Sequence, residues 1–66
     1  MRITLNGDET AIPDGLTIAS LLERLEIDAR RVAVERNFVI VKRDQYEGTA
    51  LGEGDQVEIV NFVGGG

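Results

Sequence analysis

The chain contains no cysteine, no histidine and no tryptophan. Without cysteine there is no disulfide, no thiolate metal site and no side chain that could hold sulfur as a persulfide. Without histidine, the commonest general base near neutral pH and the commonest metal ligand are both missing. Hydrolase triads and zinc centres are excluded on composition, and no cofactor is expected. The missing disulfides also argue against a small secreted domain, which usually depends on them. Basic residues are few: 7 Lys and Arg stand against 12 Asp and Glu, a formal net charge of −5. A basic, phosphate-binding surface is therefore not expected, and nucleic acid is not among the predicted partners. No apolar run approaches the roughly 20 residues that cross a bilayer, and the first residues lack the apolar stretch of a signal peptide. These features predict a cytoplasmic protein without a membrane partner.

Length sets a further bound. A domain of about 60 residues buries only about 60% of the surface that its unfolded chain exposes. At 66 residues the chain has material for one small core and none for a deep substrate cleft. A carrier, a modifier or a binding module fits this size; an enzyme does not.

The pattern along the chain is legible in short pieces. Met1, Ile3 and Leu5 alternate with Arg2 and Thr4, as in a half-buried strand. Asn6-Gly7 follows, a strong hairpin signal because a type I′ turn needs positive φ at both central residues. Thr10, Ala11 and Ile12 give a second strand, ended by Pro13-Asp14-Gly15. Thr17 is suited to cap a helix. Ile18, Leu21, Leu22 and Leu25 then form one apolar stripe over two to three turns. Val32–Val34 and Val39–Val41 read as strands, Arg43–Tyr46 as a single helical turn, Gly52–Asp55 as a turn and Gln56–Phe62 as the last strand. The order β-β-α-β-β-β predicts an α+β fold, a mixed sheet of four to five strands packed on one main helix. Residues 1–62 are expected to form this domain, and 63–66 a thin, flexible glycine tail.

The tail is the most specific feature. The last strand runs into Gly64-Gly65-Gly66. Glycine-rich phosphate loops precede a helix, whereas these glycines precede nothing. Together with the Asn6-Gly7 hairpin, the Pro13-Asp14-Gly15-Leu16-Thr17 segment, the Leu21-Leu22 pair, Val32-Ala33-Val34 with Asn37, and Gly54-Asp55-Gln56-Val57-Glu58-Ile59-Val60, this end resembles the ThiS-type sulfur carriers of thiamine (thiazole) biosynthesis, in the ubiquitin-like β-grasp superfamily. The resemblance spans the whole chain. It departs at Phe38, where relatives often have a small or polar residue, and at Lys42, where a proline is common.

The resemblance implies a protein co-substrate rather than an enzyme. Its partners would be an E1-like adenylating enzyme of the ThiF type that uses ATP, a sulfur-donor protein, and a thiazole synthase of the ThiG type. The C-terminal carboxylate of Gly66 would be adenylated and then converted to a thiocarboxylate, with Gly64 and Gly65 forming the narrow approach. A free α-carboxyl, with a usual pKa of about 3.3–3.7, is ionised at neutral pH and can attack the α-phosphate of ATP. The chain has neither base nor phosphate loop, so activation must take place in a partner's site. Three other readings stand beside this one: the small subunit of molybdopterin synthase, a ubiquitin-like protein modifier, and a β-grasp interaction module with an inert tail. Parity along the last strand adds an expectation about docking. Val57 and Ile59 should face the helix stripe, and Glu58, Val60 and Phe62 the open face. Val60 and Phe62 then form a partner-docking surface beside the tail, unless a bulge returns Phe62 to the core edge.

Overall fold

The computed structural model describes residues 1–62. The strands are β1 (Arg2–Leu5), β2 (Asp8–Ala11), β3 (Val32–Arg36), β4 (Val39–Val41) and β5 (Gln56–Asn61), with one helix, α1 (Ile18–Arg24). They form one five-stranded sheet in the order β2-β1-β5-β3-β4. Only the central β1–β5 pair is parallel; β1–β2, β3–β4 and β3–β5 are antiparallel. This is the mixed sheet over a single helix that the element order predicts.

The first hairpin forms as its turn chemistry requires. Asn6 and Gly7 have φ of 49° and 86°, and Leu5 pairs with Asp8 directly across the turn. Alternation along β1 then puts Ile3 in the core, with Met1 and Leu5 packed at its margin.

The helix has only 7 residues, well short of the roughly 12–15 at which an isolated helix becomes even marginally stable. Tertiary contacts hold it. Ile18, Leu21 and Leu22 join Ile3, Val32, Val34 and Val57 in one buried cluster, and full burial of each such aliphatic contributes about 1.5–3 kcal/mol. Its otherwise unpaired first N–H groups are all satisfied. Ile18 N donates to Thr49 C=O (3.0 Å) and Ala19 N to Tyr46 C=O (3.0 Å), and Ser20 N donates to Thr17 Oγ1 (3.1 Å). The Ser20 hydroxyl in turn accepts from Thr17 N at 2.9 Å, completing a capping box. The loop that supplies the two carbonyls also sends Tyr46 and Leu51 into the core.

One expectation about the stripe fails. Leu25 was expected to pack with Leu21 and Leu22, but it is 41% exposed. The helix ends at Arg24, Leu25 is its C-cap, and Glu26 turns into the left-handed region with φ of 57°. The chain leaves the helix before Leu25 reaches the sheet, and Ile27 packs against the core instead. A short 3-10 turn at Ala29–Arg31, capped by Asp28, then leads into β3; nothing in the apolar pattern signals it.

Candidate functional site

β5 is the strand whose sequence continues into the glycines, and both of its edges are held. On one side it pairs with β3 from Arg36↔Val57 to Val32↔Asn61. Phe62 N donates to Arg31 C=O at 2.9 Å, which carries the pairing one residue past the strand. On the other side β1 pairs only at Thr4↔Gln56 and Leu5↔Val57. Asn6 then takes over. Its backbone N donates to Val57 C=O at 2.9 Å. Its side chain accepts from Ile59 N (2.7 Å) and donates to Ile59 C=O (3.3 Å). An amide side chain thus stands where the next residue of a neighbouring strand would be.

This pinning fixes which way the last side chains point. Val57 is buried and Ile59 packs at the core margin. Val60, directly opposite Ala33, is 60% exposed, and Phe62 is 51% exposed. No bulge returns Phe62 to the core edge. The open face of the sheet therefore carries an aliphatic and an aromatic side chain at the end of β5. Gly64, Gly65 and Gly66, and with them the expected flexible tail and terminal carboxylate, lie outside the described residues.

Polar groups near this end were not anticipated. Asp28 caps the 3-10 turn through Arg30 N (2.9 Å) and binds the Arg30 guanidinium at 3.0 and 3.2 Å. The Arg30 side chain, followed by its backbone N–H, holds the Asp28 carboxyl down at a pKa of about 2. Arg30 and Arg31 remain largely exposed, and Arg31 is also the residue whose carbonyl receives Phe62 N. The Asp28-x-Arg30 spacing was the only signal for this, and it is a weak one.

A second polar cluster ties the β3–β4 turn to the start of β5. Asp55 is 8% exposed and accepts from Arg36 Nε (2.9 Å), Asn37 Nδ2 (3.1 Å) and Gly52 N (2.8 Å). Asn37 also bonds the Gln56 backbone on both sides: its side-chain oxygen accepts from Gln56 N at 2.9 Å, and its own N donates to Gln56 C=O at 2.7 Å. Burial pushes the Asp55 carboxyl up, but the hydrogen bonds from Arg36, Gly52 and Asn37 outweigh it and leave the carboxyl below its ordinary value. This carboxylate is committed to structure. Among the described residues no group of Asp and Glu is arranged to hold a metal ion, and no helix is long and apolar enough to cross a membrane.

A single short helix on a mixed five-stranded sheet, with its last strand pinned on both edges and followed in the sequence by a run of glycines, is a small domain of the ubiquitin-like β-grasp class. The chain matches the ThiS family over residues 2–66. It is 38% identical to the sulfur carrier protein ThiS of Bacillus subtilis, over 97% of this chain and 98% of that protein. The crystal structure of the thiamine biosynthesis protein ThiS from Geobacter metallireducens superimposes with a TM-score of 0.87 at 33% identity, covering both chains fully. The chain belongs to the ThiS family. A thiazole synthase of Paramagnetospirillum magneticum is 44% identical over the whole of this chain, which spans only 20% of that protein's length.

Proposed function

We propose that the chain carries sulfur for thiazole formation in thiamine biosynthesis, with the C-terminal carboxylate of Gly66 as the carrying group. Family membership supports the carrier role, and the thiazole synthases that contain a similar domain support thiazole synthase as the acceptor. The observation that carries the reading at the level of residues is the exposed Val60 and Phe62 pair on the strand that runs into the glycines. Exposed apolar residues in a cluster mark contact surfaces, and an aromatic anchor is a typical hot spot.

The chemistry divides between partners. An adenylating enzyme binds the open face of β5 and receives the glycines, whose missing side chains suit a narrow channel. A Gly66 carboxylate oxygen attacks the α-phosphorus of ATP, and pyrophosphate leaves. A sulfur nucleophile from a donor protein then attacks the acyl carbon, and AMP leaves with its bonding electrons. With a cysteine persulfide as the donor the product is an acyl disulfide; a second thiol then attacks the donor cysteine's sulfur and forms a disulfide with it, and the terminal thiocarboxylate leaves, the form delivered to thiazole synthase. Val60 and Phe62 serve both dockings in turn, so the adenylating enzyme and the synthase compete for one face.

Pyrophosphate exchange into ATP tests the first step. The exchange requires the adenylating enzyme and this chain together. Adding one residue after Gly66 is expected to abolish it while leaving the thermal melt unchanged. Undiminished exchange with the extended chain would refute the assignment of Gly66.

A further inference from the structure

The sheet has two outer strands, β2 and β4, and their edges are built differently. β2 carries exposed Asp8 and Glu9, the kind of charge that keeps an open edge from pairing with another chain. β4 has no such guard. Phe38, Val39 and Ile40 follow one another at 76%, 66% and 69% exposure.

The register shows where the backbone of β4 points. Asn37 N donates to Gln56 C=O, so Ala33 and Glu35 direct their backbone groups toward β5, and Val34 and Arg36 direct theirs toward β4. Val41 and Val39, the partners of Val34 and Arg36, point back at β3. The N–H and C=O of Ile40 therefore point away from the sheet, and β4 pairs with no other strand among the described residues.

A shallow groove runs beside this edge. Val39 and Val41 line it together with Gln45 and Thr49, and Arg36 and Lys42 stand along it. Lys42 and the neighbouring Arg43 make no ion pair among the described residues, in a chain whose net charge is −5. An open backbone edge, a groove in which Val39 and Val41 offer apolar contact between polar side chains, and uncompensated cations at one end are the components of recognition by strand addition.

We propose that the β4 edge takes an extended acidic segment of a partner protein as a sixth strand. The segment's backbone pairs with the N–H and C=O of Ile40, an apolar side chain lies over Val39 and Val41, and a carboxylate sits at Lys42. A second copy of this chain is the weaker occupant. It would offer only an identical strand of 3 residues, far from the roughly 800 Å² per partner that a stable complex buries, and it brings no carboxylate to Lys42 within that strand. The site is separated from β5 by β3 and does not depend on the chemistry of the tail.

The test is an amide-resolved NMR titration of the full chain with an end-blocked peptide of alternating valine and threonine that carries two aspartates at one end. A peptide with lysines in place of the aspartates serves as control. The expected result is saturable shifts centred on Ile40 to Lys42, slower hydrogen exchange at the Ile40 amide, and binding weakened roughly tenfold by Lys42→Glu. Ile40→Pro, which removes the outward donor at an edge position that tolerates proline, should remove the peptide-induced shifts at Val41 and Lys42. Lys42→Glu keeps the test decisive if Ile40→Pro perturbs folding. Equal binding of the lysine peptide, shifts confined to Val60 and its neighbours, or no shift at β4 up to millimolar peptide would overturn the proposal. So would concentration-dependent self-association that Ile40→Pro abolishes, which would give the edge to a second copy.

Discussion

Asn6 and Ile59 are 53 residues apart in sequence and joined by two hydrogen bonds, Ile59 N to Asn6 Oδ1 and Asn6 Nδ2 to Ile59 C=O. Asn6 meets two demands at once: it accepts the positive φ of the hairpin turn, and its amide extends the sheet along β5. Asn6→Gly keeps the first and removes the second. The expected cost is about 1–2 kcal/mol, the contribution of one or two net hydrogen bonds. It should come with faster hydrogen exchange at the Ile59 amide and little change at Ile3. A melt equal to that of the parent protein would mean that the clamp does not hold the strand.

Phe62→Ala tests the docking face. The side chain is half exposed, while the backbone bond from Phe62 N to Arg31 C=O survives the substitution. Binding to the adenylating enzyme should weaken by about 1–3 kcal/mol, within the usual range for an interfacial aromatic, with a nearly unchanged melting temperature. A large fall in melting temperature at constant affinity would make Phe62 a core residue.

On the same face Glu35 and Glu58 are directly opposite each other in the β3–β5 ladder, and like charges so placed destabilise a sheet. Glu58→Lys replaces repulsion with attraction. It should raise stability by about 0.5–1 kcal/mol, and the gain should shrink in high salt because the site is exposed to solvent. An unaltered or lower melting temperature in dilute buffer would show that the two carboxylates do not interact.

Acid should release the Asp55 cluster. The carboxyl sits below its ordinary value in the folded protein, so the unfolded chain binds a proton there first as pH falls. The stabilisation is therefore fully present above the unfolded value, and it is lost as pH falls through the lower folded-state value. Asp55→Asn should cost about 1–3 kcal/mol near pH 7, as expected for hydrogen bonds to a charged group. The gap from the parent protein should close as the pH falls below the ordinary carboxylate range and the carboxyl takes up its proton in the folded state too. A gap that did not change with pH would mean that the carboxylate charge is not what holds Arg36 and Asn37.

How far the sequence reveals this structure depends on how local each feature is. The Asn6-Gly7 turn, the Ile18, Leu21 and Leu22 stripe and the alternation along β5 are set by neighbours a few residues apart, and all are readable. Leu25 misleads because the apolar periodicity runs one residue beyond the helix, which ends at Arg24 just before the left-handed turn at Glu26. The turn at Asn37-Phe38 is hidden for a different reason. Both residues have positive φ, 53° and 69°, and an aromatic side chain is no signal for that conformation. Asn37 is held there by Gln56 and Asp55, partners that no local pattern connects to it. The exposed Val60 and Phe62 follow from parity alone, whereas the Asn6–Ile59 clamp that fixes the parity is visible only in three dimensions.

The most direct measurement of the central claim is the intact mass of the chain after incubation with ATP, an adenylating enzyme of the ThiF type and a sulfur donor. The expected result is a gain equal to one oxygen replaced by one sulfur, located at Gly66 by fragmentation and lost again when thiazole synthase and its remaining substrates are added. An unchanged mass with an adenylating enzyme shown to be active on another ThiS protein, or sulfur found anywhere but the terminal carbonyl, would contradict it.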